Sequence, residues 1–72
     1  MKEYTVPEAA EACKLSPSMI YRAIDANQLR ATELPGRTRR DRWRISEEDL
    51  IAYKRWRVKQ HGDYYPELDE LG

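Results

Sequence analysis

The sequence predicts a small, mainly α-helical domain with one β-hairpin: a winged helix-turn-helix of three helices and a two-stranded wing. Three observations predict it. Three helix starts are written in the same local chemistry, the first two helices are nearly contiguous, and an arginine-loaded hairpin pattern follows them. At 72 residues the chain has room for one domain. Its 40% apolar and 36% charged residues suit a soluble, folded body.

The first start is Thr5-Val6-Pro7-Glu8, a capping box with Thr5 as N-cap and Glu8 at N3. Pro7 is tolerated in a first turn, where no backbone donor is needed. Ser16-Pro17 is the second, with Ser16 as N-cap and Pro17 at N1. Ser46, with Asp49 three residues on, is the third. Tyr4 and Ala9, Leu15 and Ile20, and Ile45 and Leu50 hold the matching hydrophobic-staple positions. Helices are therefore expected at 6–13, 17–26 and 47–60.

Val6, Ala9, Ala10 and Cys13 form one apolar stripe at helical spacing on the first helix. Ile20, Ala23 and Ile24 do so on the second, which turns Ser18 and Arg22 away from the core. Asn27 stands where the chain must leave that helix, and asparagine is the usual non-glycine residue to adopt the left-handed conformation there. Two short helices with small residues facing across a three-residue gap fit a helix-turn-helix. They fit a plain αα-hairpin equally well.

Residues 29–45 decide between the two. Thr32 and Leu34 alternate with Glu33, and Trp43 and Ile45 alternate with Arg42 and Arg44, the period of two half-buried strands. Trp43 is expected inward, and the two arginines outward. Between the strands lies Pro35-Gly36-Arg37-Thr38-Arg39-Arg40-Asp41, a turn-forming loop. Residues 30–44 hold six Arg and two acids, a net +4. Guanidinium is planar, weakly hydrated and able to hold phosphate oxygens bidentately, or to enter a narrow minor groove. A charged loop alone is commonly no more than solvated. Here Arg42 and Arg44 extend the patch, and Ser18 and Arg22 can share a surface with it, which favours nucleic acid.

Charge is divided along the chain. All thirteen Lys and Arg lie in residues 1–62 with nine acids, a net +4, and residues 63–72 hold the other four acids, a net −4. The sequence thus divides into a winged helix-turn-helix at 1–62 and an acidic tail at 63–72. The tail's acids either compete with DNA for the basic surface or form a solvated end. Trp56 is open to three placements: closing the core, packing on a neighbouring copy, or lying exposed.

Several classes are excluded. The lone Cys13 has no disulfide partner and, with one His 48 positions away, no ordinary zinc ligand set. On its apolar stripe it reads as core. No apolar run reaches a membrane span and no signal-peptide core is present, so a cytoplasmic address without a membrane is expected. There is no carboxylate pair, glycine-rich phosphate loop or nucleophile–base arrangement, so neither an enzyme nor a cofactor is expected.

The run Tyr4 to Leu29, YTVPEAAEACKLSPSMIYRAIDANQL, resembles the excisionase-type helix-turn-helix, a branch related to the MerR-type winged helix. The later DRWRISEEDLIAY resembles the same family's second wing strand and closing helix. The resemblance implies that Ser18, Tyr21 and Arg22 face the major groove, and that Arg37, Arg39 and Arg40, with Thr38 among them, lie along the minor groove. Arg42 and Arg44 would then meet phosphates. Lys54 and Arg57 are further candidates for the DNA backbone, although basic residues near a helix C-terminus already suit its dipole. Met19 departs from a small polar residue, Asn27 from glycine, and the 34–41 loop from a shorter turn. The long dimerising helix of full MerR-type regulators has no counterpart here.

Two roles follow from the resemblance. One is a recombination directionality factor of phage or mobile-element origin, whose partners are double-stranded DNA, an integrase and further copies bound cooperatively alongside. The other is a small transcription regulator on promoter direct repeats. A DNA-independent adaptor using the tail as its binding segment is a third reading.

Overall fold

The computed structural model describes residues 2–36, 38 and 42–70. Each expected N-cap closes a helix. The Thr5 hydroxyl accepts from the Glu8 N–H at 3.3 Å and the Glu8 carboxylate accepts from the Thr5 N–H at 2.9 Å, both halves of a capping box. Helix α1 follows over Val6–Cys13. Ser16 Oγ accepts from the Met19 N–H at 3.4 Å and opens α2, Pro17–Asp25. Ser46 Oγ accepts from the Asp49 N–H at 3.1 Å and opens α3, Glu47–His61.

The exits of α1 and α2 repeat one device. Lys14 takes φ 59° and Asn27 φ 60°, both left-handed. The Leu15 N–H then reaches back to the Ala10 carbonyl at 2.9 Å, and the Gln28 N–H to the Ala23 carbonyl at 2.8 Å. Each is the long bond of a Schellman motif, which satisfies carbonyls that a helix end leaves open. The next apolar side chains, Leu15 and Leu29, then turn back onto the core. Asn27 is as expected; Lys14 has no sequence signature for this conformation.

Among the described residues the sheet has three strands, the expected two-stranded wing and one more. Strands β1 (Glu3–Tyr4), β2 (Thr32–Glu33) and β3 (Trp43–Ser46) are antiparallel in the order β1-β3-β2. Glu3 pairs with Ser46 and Tyr4 with Ile45; Thr32 pairs with Arg44 and Glu33 with Trp43. One expectation is corrected here. Thr32 is exposed along with Glu33, because β2 is a two-residue edge strand rather than a half-buried one. Arg42, just before β3, and Arg44 within it are half-buried.

Val6, Ala9, Ala10, Cys13, Ile20, Ala23, Ile24, Leu29, Ile45, Leu50, Tyr53 and Tyr65 form one core. Trp43 packs partly buried against it, as does Trp56. Trp56 stacks on Tyr53 with ring centroids 5.8 Å apart and meets His61 edge-on at 5.3 Å. The resulting architecture is a winged helix-turn-helix, mostly helical with a small antiparallel sheet.

The C-terminal segment is part of that body and not a solvated end. Gly62, at φ 72°, ends α3 and reverses the chain. A short helix α4 follows over Pro66–Glu70. Tyr65 is only 3% exposed, Arg57 pairs with Asp63, and Lys54 pairs with Glu67 at 2.8 Å. Two of the four acids that gave the segment its charge, Asp63 and Glu67, are spent on two cations of α3.

Lys14 supplies a direct test of the turn. A left-handed L-residue is strained by about 1–2 kcal/mol, while glycine brings about 0.5–1 kcal/mol of extra unfolded-state freedom. Lys14→Gly is therefore expected to stabilise the domain by about 0.5–1 kcal/mol, read as a higher denaturant midpoint at unchanged slope.

Candidate nucleic-acid interface

Helix α2 presents its polar face because Ile20, Ala23 and Ile24 are buried beneath it. Ser18, Met19 and Arg22 are exposed on that helix. The Ser18 hydroxyl lies 3.1 Å from that of Ser16, so it sits beside the N-cap and stays free to exchange partners. Arg22 makes no ion pair among the described residues. It borders an open groove of about 200 Å³ with Met19, Ala23, Gln28, Tyr53, Arg57 and His61. Tyr21 is half-buried and packs against the core.

The hairpin contributes differently. Arg42 Nη1 donates to Glu33 Oε2 at 2.9 Å, with side chains 37% and 51% exposed. So open a pair is weak, about 0–1 kcal/mol. The Arg42 Nε is buried without a hydrogen-bond partner among the described residues. Arg44 donates to the Trp43 carbonyl at 2.9 Å and lies within electrostatic reach of Glu8 on α1. Thr38 is exposed. Arg37, Arg39 and Arg40, the expected wing-tip contacts, lie outside the described residues.

Two polar residues beside Arg22, Gln28 and His61, are not among the expected contacts. Gln28 and His61 reach the same groove because the Asn27 turn and the end of α3 bring them there. Helical periodicity stops at the Asn27 turn, so it is silent on Gln28, and His61 falls one residue past the expected helix 47–60. Arg57 borders the groove too, but its guanidinium is already committed. It donates through Nε to Asp63 and through Nη1 to the Tyr53 hydroxyl at 3.4 Å. Lys54 is buried beneath Glu67. The α3 cations expected as backbone contacts are thus tied to the C-terminal segment.

Among the described residues no group of three or more His, Cys, Asp or Glu side chains converges on a point, and no helix is long and apolar enough to cross a membrane. Cys13 is 1% exposed, and burial pushes its thiol up to about 11. It sits in the core, as its stripe implied. With thiolate so scarce, the native chain at pH 8 is expected to react with iodoacetamide about a hundredfold more slowly than the chain in denaturant. Equal rates, followed by mass spectrometry, would mark Cys13 as a reactive thiol.

A family model described as a helix-turn-helix domain matches residues 3–58, from β1 into the last turns of α3 and over three quarters of the chain. Comparison with curated proteins and with solved structures gives no significant match.

Proposed function

Because this chain belongs to the helix-turn-helix domain family, and DNA is the partner that such a domain takes, we propose that it is a sequence-specific DNA-binding protein of the excisionase type. In this reading it binds repeated sites on double-stranded DNA, bends them and directs an integrase toward excision. It has no enzymatic activity of its own. The observation that carries the DNA-binding part is Arg22 on α2, exposed and without an ion pair among the described residues, followed in sequence by the arginine-rich hairpin. The excisionase part rests on the pattern from Tyr4 to Tyr53 described above.

The roles divide by chemistry. Ser18 and Arg22 on α2 enter the major groove, with Arg22 bidentate to a guanine edge. Tyr21 contributes its exposed part. Arg37, Thr38, Arg39 and Arg40 follow the minor groove. Arg42 and Arg44 take phosphates, Arg42 by exchanging the weak Glu33 contact for a bidentate one to a phosphodiester. A single winged module has a footprint of roughly 600–1,000 Å², so useful affinity comes from copies bound side by side.

One reconstituted system tests both levels. Binding to a duplex with direct repeats should fall with salt at a log–log slope of roughly −4 to −5, as neutralising about 4–6 phosphates requires. Arg22→Ala should lose about 1–3 kcal/mol of discrimination between cognate and random DNA. Replacing Arg37, Arg39 and Arg40 together should weaken both DNAs alike and flatten the slope. Adding a cognate integrase then scores the role: excision should rise and insertion fall. Unchanged recombination with altered transcription from a promoter carrying the same repeats would assign the chain to regulation instead.

A further inference from the structure

One of the described residues beyond the family match, Tyr65, reaches the turn that joins α1 to α2. Tyr65 is buried at 3% exposure, and its hydroxyl donates to the Cys13 main-chain carbonyl at 2.8 Å, across 52 positions of sequence. That carbonyl belongs to the last turn of α1, whose carbonyls have no partner within the helix. It immediately precedes Lys14, the left-handed residue that starts the turn.

The same hydroxyl lies 3.1 Å from Asp63 Oδ2. A phenol has one proton, and an ionised carboxylate and a carbonyl only accept. The proton therefore serves the nearer Cys13 oxygen or is shared between the two. Asp63 takes its other donor from Arg57 on α3, whose Nη1 in turn lies on the Tyr53 hydroxyl. A continuous polar chain thus runs from α3 through Asp63 and Tyr65 to the end of α1. Lys54 reinforces it: its ammonium pairs with Glu67 at 2.8 Å and stands 5.6 Å from the Tyr65 ring centroid. Burial raises the Tyr65 hydroxyl above its ordinary value, so it stays protonated and able to donate, and the Arg57 hydrogen bond keeps Asp63 below the usual carboxylate range.

We propose that residues 63–70 form a strap that locks α3 to the α1–α2 turn, and that Tyr65 is a positioning residue for α2. The strap sets where α2 sits on the body, and hence where Ser18 and Arg22 point. This rests on the DNA-binding reading for its functional consequence, although the locking of the turn does not. It also reassigns the acidic segment: Asp63 and Glu67 are engaged within the domain, not held in reserve to compete with DNA.

Tyr65→Phe in the full chain removes the hydroxyl and keeps the ring, and Asp63→Asn removes the charge and keeps the shape. Amide hydrogen exchange read by NMR at low temperature reports the turn through the Lys14 and Leu15 N–H groups, whose acceptors are Glu11 and Ala10. In Tyr65→Phe their protection should fall about threefold to tenfold, the worth of one buried hydrogen bond. Amides in the middle of α3 should keep theirs. In the same folded sample, affinity for duplex DNA should fall by a similar factor with the salt slope unchanged, and Asp63→Asn should act in the same direction.

Unchanged turn protection in both variants overturns the strap. Uniform loss of protection through α3 overturns positioning in favour of plain stabilisation. Tighter DNA binding by Asp63→Asn overturns it in favour of competition. If the unaltered chain binds no DNA, the functional reading fails, and the exchange pattern still decides whether the turn is locked.

Discussion

The closeness of α1 to α2 governs the rest of the molecule. Ala9, Ala10 and Cys13 are small enough for the second helix to lie against the first, and Ile20 and Ala23 fill the seam with almost no exposed surface. Protein interiors are close-packed, so a seam of this kind has little slack. Since the two stripes must face each other, the opposite side of α2 has to be solvent-facing. Arg22 is exposed as a consequence of Ile20 being buried. A bulkier residue at Ala9 or Ala10 would force the helices apart and re-aim α2.

Local chemistry in the sequence was enough to locate this seam. Caps and staples act over three to five residues, so Thr5, Ser16 and Ser46 declare their helices without knowledge of the rest of the chain. Long-range pairing was not legible. A two-residue strand such as Glu3–Tyr4 shows no period, and exists because β3 arrives some forty positions later to bond with it. The same holds for Tyr65. In a run of acids its charge context suggests solvent, and only Gly62 reversing the chain carries the ring back to Cys13. The site was legible in the same proportion. Exposure of Ser18 and Arg22 follows from periodicity, whereas the partners of Arg42, Arg44 and Arg57 depend on strands and a strap folded alongside them.

Electrostatically, the chain is not a basic body with a loose acidic end. Asp63 and Glu67 neutralise Arg57 and Lys54 at the base of α3. Lys54 is 8% exposed, and a buried ammonium requires a partner. Arg22 on α2, by contrast, makes no ion pair among the described residues, and six arginines give residues 30–44 their positive sequence charge. Folding sharpens an asymmetry that the primary structure only outlines.

The claim that α2 and the wing together form the DNA surface is tested most directly by mapping backbone amide shifts of the labelled chain as a duplex is added. The account requires perturbations gathered on residues 18–22 and 34–44, with α4 and the β1 strand left in place. Shifts gathered on residues 63–70, or absent from α2 while DNA is bound, would contradict it.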